Sequence, residues 1–284
     1  MSGQTPLPQN APTLDMRAKL AHLEELLQSY SSLVVAYSGG IDSAFLAVVA
    51  GRVLKDRAVA VTAQSESLAP EELEDAVALA SQFEFRHEII RTEELNDPNY
   101  AANTQDRCAF CKAELMTKFL AYAQRKGLKA IALGATLDDL GDIRPGETAA
   151  AQRGAVFPLR EAQFHKHEIR ALAREMGLPV WDKPAAACLS SRIPFGEPVT
   201  AEKLSQVARG ERILHKAGFR ECRLRHHGAI ARIEVPPRQI SDLVARSGEL
   251  IPVLKALGFV FITVDLQGLR SGSLHEATAA KRPK

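Results

Sequence analysis

Long hydrophobic runs, cysteine and net charge are all scarce in this sequence of 284 residues. Nowhere do about 18 apolar residues follow one another, so we expect no transmembrane helix. Residues 1–12 are rich in Gln, Pro and Ser without an apolar core, which predicts a disordered segment and no signal peptide. The 4 cysteines are too few for a secreted disulfide framework. These absences predict a cytoplasmic protein.

The net charge and the length of the chain say little about its binding partners and its number of domains. The 36 basic side chains nearly balance the 34 acidic ones, which leaves a net charge of +2. Bulk charge therefore argues neither for nor against a nucleic-acid partner. The length allows one large domain or two modest ones.

The chain is organised around residues 34–44, where an apolar run ends in Ser-Gly-Gly-Ile-Asp-Ser (38–43) and leads into an apolar-periodic segment. This order predicts a buried strand, a glycine turn and a helix. Gly39 and Gly40 allow the turn to take positive φ angles and to approach a ligand closely. The N–H groups that begin the helix, at the positive end of its dipole, then favour a bound anion.

Three side chains of this motif add specific chemistry. Ser38 and Ser43 can donate hydroxyl hydrogen bonds, whereas the Asp42 carboxylate would repel a phosphate unless a divalent cation lay between them. The motif is not the common P-loop, which requires a lysine after its glycines. An ordinary strand–turn–helix corner is the alternative, and five matched positions directly after a strand argue against it.

Strand and helix patterns alternate in the first half of the chain. Helices are predicted at 13–30, 44–54, 70–83 and 108–126, and further strands at 58–62, 86–91 and 130–133. This alternation is typical of an α/β fold with a doubly wound, mostly parallel sheet, which binds ligands at the carboxyl ends of its strands. Gly39 and Gly134 both fall at such ends.

Residues 134–146 contain Asp138, Asp139, Asp142 and Arg144 directly after a predicted buried strand. Carboxylates and an arginine suit a site for a metal-bound triphosphate. Aspartate and glycine also favour solvated turns, so spacing alone leaves both interpretations open.

Residues 183–194 show neither a helical nor a strand period and contain Cys188, followed shortly by Ser-Ser-Arg. A lone cysteine near an arginine is either a buried filler or an activated thiolate. An apolar core would not explain the polar residues that follow, so we favour a functional thiol.

From Thr200 onward the pattern changes to a predicted α-β-β-α-β unit with an antiparallel sheet. Its elements are helices at 201–216 and 239–257 and strands at 222–226, 230–235 and 259–265. We therefore predict three parts of the chain: a disordered segment at 1–12, an α/β domain at 13–196 and a smaller α+β domain at 197–284.

Two arginines of the second domain alternate along one predicted strand. Arg223 and Arg225 are therefore expected on one exposed face, where such a pair could clamp a phosphate. Glu211, Glu234 and Asp242 could gather near them, although each of these charges alone is more often a surface residue.

Five motifs together resemble one family over most of the chain. They lie at residues 38–43, 138–146, 187–192, 223–227 and 266–272. The first is similar to the PP-loop (Ser-Gly-Gly-x-Asp-Ser) of the adenine nucleotide alpha hydrolase-like ATP pyrophosphatases, which cleave ATP between its α and β phosphates. The five motifs together resemble those of the LarE family, which are ATP-dependent sulfur insertases of nickel-pincer nucleotide biosynthesis. The four later motifs distinguish this family from the tRNA thiolases and from the NAD and GMP synthetases.

The resemblance implies a reaction and a set of site residues. Family members transfer AMP from ATP to a carboxylate of a pyridinium dicarboxylate mononucleotide, release pyrophosphate, and then replace AMP by sulfur. The matched positions for ATP and Mg²⁺ are Ser38, Gly39, Gly40, Asp42, Ser43, Gly134, Asp138, Asp139 and Arg144. The catalytic positions are Asp42 and Cys188, those for the substrate phosphate Arg223 and Arg225, and those for a second divalent cation Glu211, Glu234 and Asp242.

The sulfur source differs between members of the family. Some sacrifice the sulfur of the cysteine at the Cys188 position and retain dehydroalanine. This chain also carries Cys108 and Cys111, and with Cys188 it matches the subgroup thought to hold a 4Fe–4S cluster with one open iron. A C-x-x-C pair also serves redox and zinc sites, so the sacrificial route stays open beside the cluster that we expect. Cys222 is interpreted as structural.

Two other functions remain as alternatives. A tRNA thiolase uses the same ATP chemistry, but no RNA-binding module or strongly basic face stands out, so we do not expect a nucleic-acid partner. The other alternative is a catalytically inactive scaffold that binds a nucleotide, and the presence of Asp42, Asp138 and Asp139 argues against it. The resemblance further implies a homohexamer, a sulfide source and other nickel-pincer pathway enzymes as partners.

Overall fold

The computed structural model describes residues 14–140, 145–184 and 187–270. The segment 1–12, for which disorder is predicted, lies outside these residues, as do Asp142 and Arg144.

The secondary structure alternates as the sequence predicts. The strands are β1 (Leu33–Ala36), β2 (Ala58–Gln64), β3 (His87–Arg91), β4 (Ala130–Ala132), β5 (Ala155–Val156), β6 (Arg223–His227), β7 (Ile230–Glu234) and β8 (Phe261–Val264). The helices are α1 (Leu14–Ser29), α2 (Ile41–Leu54), α3 (Pro70–Gln82), α4 (Pro98–Ala101), α5 (Arg107–Lys126), α6 (Pro145–Ala151), α7 (Pro158–Glu161), α8 (Lys166–Glu175), α9 (Ala201–Lys216), α10 (Ile240–Ala245) and α11 (Ser247–Lys255). None of the described helices is both long and apolar enough to span a membrane.

The chain forms two compact units, each built from separate segments. The first consists of Met1–Gln64, Glu71–Thr92 and Lys112–Ala185, and the second of Ser65–Pro70, Glu93–Cys111 and Ala186–Lys284. The predicted domain boundary between residues 196 and 197 stays a prediction. The compact units differ from it, because two early segments group with the C-terminal part of the chain.

The first unit contains a five-stranded parallel sheet in the order β3-β2-β1-β4-β5. This arrangement confirms the predicted doubly wound α/β fold. The strand order reverses between the neighbouring strands β1 and β4. Each of these two strands leads into one of the predicted ligand-binding turns. Open parallel sheets bind ligands in the crevice at such a reversal.

Strand β1 divides the core of the first unit between the two faces of the sheet. Leu33 and Val35 join the cluster formed with α1, α2 and α8, whereas Val34 joins the cluster on α5. Alternate side chains of a strand point to opposite faces, so the apolar run is explained by burial on both sides. The turn that follows β1 is therefore anchored on a rigid strand.

The second unit contains a three-stranded sheet in the order β6-β7-β8. Strands β6 and β7 pair antiparallel as predicted, but β8 pairs parallel to β7, so the fully antiparallel sheet is wrong. The parallel direction follows from the crossover through α10 and α11, which returns the chain to the starting end of the sheet.

The connection between β7 and β8 also differs from the single helix predicted at 239–257. Two helices occur instead, separated at Arg246. Ser247 and Gly248 begin the second helix, and both residue types are poor in helix interiors. Residues 92–106, which lie between a predicted strand and a predicted helix, also contain a helix, α4, which begins with Pro98 after the capping side chain of Asp97.

Packing of α9 on β6 leads to a prediction about Gly210. A methyl group at Gly210 would overlap Leu224 Cδ1, which is buried. We expect Gly210→Ala to lower the free energy of unfolding by about 1–2 kcal/mol, because overpacking outweighs the better helix propensity of alanine. Urea unfolding measures this change.

The matched control is Gly248→Ala in α11, where an added methyl group meets no atom within 4 Å. Its expected effect is neutral or stabilising by up to about 1 kcal/mol. Equal effects of the two substitutions would contradict close packing at Gly210.

Candidate functional site

The turn after β1 takes the shape that its glycines allow, with one difference from expectation. Gly39 has a φ of 75°, in the region that favours glycine. Gly40 caps α2 with a φ of −78° and a ψ of 159°, so only Gly39 uses the positive φ that both glycines allow. Extended backbone at the cap is what a helix start requires.

No side chain caps the N-terminus of α2. The Ser43 hydroxyl, one turn into the motif, donates to the Gly40 carbonyl over 3.0 Å and accepts from the Ser38 N–H over 3.2 Å. The Ser38 and Ser43 hydroxyls lie 3.1 Å apart. The two serines therefore hold the loop closed around itself, and the first N–H groups of a 14-residue helix are left for an anion.

Gly134, after β4, lies directly against the start of α2. A Cβ at this position would come within 2.9 Å of Ser43 N and 3.1 Å of the Asp42 carbonyl carbon. These are backbone atoms that cannot move aside cheaply. The glycine is thus required by a close approach, and it brings the turn after β4 beside the turn after β1.

Asp42 is the unusual group at this edge of the sheet. Its Oδ1 is buried and has no hydrogen-bond partner among the described residues. Burial raises the pKa of the carboxyl to about 6, against the opposing attraction of Lys166 and Arg170 and with the repulsion of Asp139. An unpartnered buried carboxylate oxygen is a donor that Mg²⁺ could satisfy, so the residues present fit the implied cation.

Asp139 is buried and is not part of a solvated turn. Its carboxylate accepts from Thr136 N over 2.8 Å and from Lys166 Nζ over 2.9 Å. These bonds outweigh burial and lower the pKa of Asp139. Asp138, in contrast, is exposed and accepts from Lys166 N over 2.7 Å.

Two cations of α8 complete this edge, and neither was predicted. Lys166 contacts both aspartates, and Arg170 donates to the carbonyls of Trp181 and Lys183. Nothing near Lys166 in the sequence signals its contact with Asp139, 27 positions earlier. The binding role predicted for Arg144 falls on a residue outside the described part of the chain.

In the second unit, Cys188 lies at the exposed start of a turn that three buried arginines hold. Arg192 donates to the carbonyl of Ala187 over 2.8 Å, and Arg225 to that of Ser191 over 2.8 Å. Arg107 donates to the Ser190 carbonyl over 2.9 Å. The functional thiol predicted here is thus a surface group on a firmly supported segment.

The three cysteines of the implied cluster all belong to the second unit. Cys108 and Cys188 are exposed, Cys111 is half-buried, and none is in a disulfide. Thiolates are the donors that iron–sulfur clusters require, so the donor set fits in kind and number. Within the described ranges, no three His, Cys, Asp or Glu side chains are already grouped closely enough to hold a metal ion. Cys222 is buried, and burial strongly raises the pKa of its thiol.

The predicted phosphate clamp is only partly exposed. Arg225 is 3% exposed, so its predicted exposure is wrong; it forms a two-point pair with Glu234 at 3.0 and 2.9 Å. Arg223 is half-buried and donates to the Arg270 carbonyl over 3.1 Å. Burial and the positive charges of Arg225 and Arg192 lower the pKa of Arg223. Those neighbouring cations would favour an anion beside it, so the partly exposed Arg223 is the better candidate of the two for a phosphate.

The acids predicted to bind a second cation lie in separate settings. Both carboxylate oxygens of Glu211 accept from Arg192, at 2.8 and 3.1 Å, and those of Glu234 accept from Arg225. Asp242 is exposed near the start of α10. This arrangement does not offer the three carboxylates to a shared cation, and the second cation site stays a prediction.

The raised pKa of Asp42 leads to a prediction about pH and stability. The folded protein holds this proton more tightly than the unfolded chain, since the pKa rises from 3.8 to about 6. The stability that this proton contributes is fully present below the unfolded pKa of 3.8, and it is lost as the pH rises through the folded pKa of about 6. As the pH rises from roughly 4.5 to 7.5, the free energy of unfolding of Asp42→Asn should therefore increase by about 1–2 kcal/mol relative to that of wild type, a figure that allows for the partial exposure of Asp42.

Urea unfolding of the ligand-free protein across this pH range provides the measurement. Asp138→Asn is the matched control, because hydrogen bonds from Lys166 and His165 outweigh burial and lower the Asp138 pKa. The difference between Asp138→Asn and wild type should stay nearly constant across this range, because the stability that Asp138 contributes is lost only at more acidic pH, below its unfolded value of 3.8. A constant difference between wild type and Asp42→Asn would refute the buried, protonated carboxyl.

Comparison with known proteins places this geometry in a family. Residues 16–122 match the family model described as NAD synthase. The chain is 45% identical over 262 residues to slr1717, an uncharacterised protein of Synechocystis sp., which covers 92% of this chain and 98% of that protein. It is 24% identical over 242 residues to MJ0830 of Methanocaldococcus jannaschii, also uncharacterised, covering 84% and 91%.

A third relative carries a functional name. The pyridinium-3,5-bisthiocarboxylic acid mononucleotide synthase of Lactiplantibacillus plantarum is 36% identical over 262 residues, covering 92% of this chain and 95% of that protein. This chain belongs to the LarE family of PP-loop proteins.

Proposed function

We propose that this protein is an ATP-dependent sulfurtransferase that converts a carboxylate of a pyridinium dicarboxylate mononucleotide into a thiocarboxylate. The observation that carries the proposal is the uncapped N-terminus of α2 beside the unpartnered Asp42 oxygen. Together these features suit a polyphosphate and its cation. The name of the L. plantarum relative supplies the class of product.

The first half-reaction activates the acid. A carboxylate is a poor acyl donor, because its leaving group would be oxide. Its oxygen attacks the α-phosphorus of ATP, the bond from that phosphorus to the bridging oxygen breaks, and pyrophosphate leaves with the electron pair. The α2 N–H groups receive the pyrophosphate, and Lys166 and Arg170 add positive charge at the same edge of the sheet.

Magnesium belongs to this step as a cofactor. Asp42 and Asp138 would hold it, and when bound it would neutralise phosphate charge. Asp139 is already paired with Lys166, so it orients that lysine instead.

The second half-reaction introduces sulfur. A sulfur nucleophile attacks the activated carbonyl carbon, and AMP leaves with the electrons of the broken C–O bond. Arg223 would hold the phosphate of the mononucleotide. Arg225, bonded to both Glu234 and Ser191, would support the Cys188 segment from beneath.

Two sources of the sulfur remain possible, and we favour the cluster. Cys108, Cys111 and Cys188 would hold a 4Fe–4S cluster, which when bound supplies an open iron for an extra sulfide. The alternative breaks the Cβ–Sγ bond of Cys188, leaves dehydroalanine on the chain and passes its sulfur to the product. The exposure of Cys188 is compatible with both routes.

The activity itself is directly testable. Protein, ATP, Mg²⁺, sulfide and pyridinium-3,5-biscarboxylic acid mononucleotide should yield AMP, pyrophosphate and a thiocarboxylate, detected by mass spectrometry. Asp42→Ala should reduce AMP formation by at least about a hundredfold, because charge stabilisation at the phosphates is lost. Cys188→Ala should abolish the thiocarboxylate on either sulfur route.

Cys222→Ala is the matched control, since Cys222 is buried in the second unit, and it should retain product formation. Wild-type protein that forms no AMP with this substrate would leave the chain a nucleotide-binding scaffold. Thiocarboxylate formation by Cys188→Ala would remove that residue from the reaction.

Iron content decides between the two sulfur sources. Anaerobically purified wild type should contain about four irons and labile sulfide per chain, and Cys108→Ala should lose most of both. Multiple turnovers with added sulfide are then expected. Iron-free anaerobic protein would instead make Cys188 the donor, and its mass should fall by one H₂S per turnover.

A further inference from the structure

A buried polar cluster in the second unit joins the turn that begins α5 to the segment that follows Cys188. Its centre is Ser190, which is fully buried. Arg107 Nη1 donates to the Ser190 carbonyl over 2.9 Å, and the Tyr100 hydroxyl lies 2.6 Å from the Ser190 hydroxyl. Both oxygens of one residue are thus held by the stretch that leads into the C-x-x-C turn.

Asn103 extends the same cluster. It accepts a hydrogen bond from Arg107, and its side-chain amide donates to the carbonyls of Ile193, Pro194 and Glu197 at 3.3, 2.8 and 2.8 Å. Asn103 is fully buried, so these bonds are shielded from water. The segment after Cys188 therefore cannot shift without leaving several buried polar groups unpaired.

Arg107 differs from the other buried arginines of this unit in its partners. Arg192 and Arg225 each form a two-point pair with a glutamate. Arg107, only 3% exposed, meets the amide oxygen of Asn103, one backbone carbonyl and the face of Phe195, and no carboxylate of the described residues. Burying a charge among neutral acceptors is destabilising, so stability alone does not explain this arginine.

The cysteines lie on both sides of the cluster. Arg107 immediately precedes Cys108, and the cluster begins two residues after Cys188. Burial raises the pKa of Tyr100, and the charges of Cys188 and Cys111 act in the same direction.

We propose that Arg107 and Tyr100 are positioning residues for sulfur transfer, which fix the Cys188 thiol relative to the Cys108–Cys111 turn by holding both oxygens of Ser190. The role in sulfur transfer rests on the proposed function, whereas the hydrogen bonds of Arg107 and Tyr100 to Ser190 do not. A thiol at an exposed turn loses orientation easily, and rigid support beneath it limits that loss.

Thiol cross-linking in the metal-free protein tests the proposal at one fixed pH. Dibromobimane, which fluoresces when it has joined two thiols, should link Cys188 to Cys108 or Cys111 in wild type, as mapped by mass spectrometry. The rate of cross-linking should fall about fivefold in Arg107→Met and about twofold in Tyr100→Phe, because each loses buried hydrogen bonds. Arg107→Lys, which keeps one donor, should lie between wild type and Arg107→Met.

Two controls separate positioning from a general structural role. Single alkylation of Cys188 by iodoacetamide should keep its wild-type rate, and buried Cys222 should stay unmodified. Modification of Cys222 in Arg107→Met would show that this variant has lost its fold. The cross-linking rate of Tyr100→Phe then tests the proposal, because that substitution removes a single oxygen atom and leaves the ring in place.

Unchanged cross-linking in folded Tyr100→Phe and Arg107→Lys would overturn the proposal. So would wild type that forms no cross-link, and that result would leave sulfur insertion untouched. Slowed cross-linking in variants of a protein that makes no thiocarboxylate would keep the positioning role and remove the proposed function instead.

Discussion

The backbone contact at Gly134 is the constraint on which the nucleotide site depends. Because no side chain fits between Gly134 and the first turn of α2, the carboxyl end of β4 lies directly against the helix that follows β1. This contact occurs where the strand order reverses, the place at which parallel sheets bind ligands. It brings Asp42, whose Oδ1 is buried, beside the turn that carries Asp138 and Asp139. An uncapped helix start, a shielded carboxylate and a neighbouring lysine thus share one crevice edge of the first unit.

The second unit obtains rigidity in a different way, through guanidinium groups. Arg192 and Arg225 each satisfy a buried glutamate and use their remaining donors on the backbone of the Cys188 segment. The charges cancel inside the unit while the carbonyls are held in place. Arg107 gives the same kind of support without a carboxylate partner. The result is an exposed cysteine on a segment in which the carbonyls of Ala187, Ser190 and Ser191 each accept a hydrogen bond from a buried arginine.

Features that depend on neighbours in sequence could be predicted, and those that depend on distant contacts could not. The strand–turn–helix at residues 34–44 and the alternation of strands and helices both follow from local patterns. The burial of Arg225 was missed because period-two alternation assigns a side chain to a face without showing what covers that face. The pairing of Lys166 with Asp139 was missed for the same reason. The direction of β8 depended on how the chain crosses back, which one continuous helical pattern had concealed.

The segmented units have a consequence for how the chain acquires its structure. Six alternating segments mean that the chain passes five times between one unit and the other. Residues 65–70 and 93–111 leave a ribosome long before the C-terminal strands with which they group. During synthesis, the turn that carries Cys108 therefore waits for more than 70 residues before the Cys188 segment exists to receive it. Such sequence-distant contacts slow folding, and apolar surface of the early segments stays exposed to aggregation until the later segments of the unit have been synthesised.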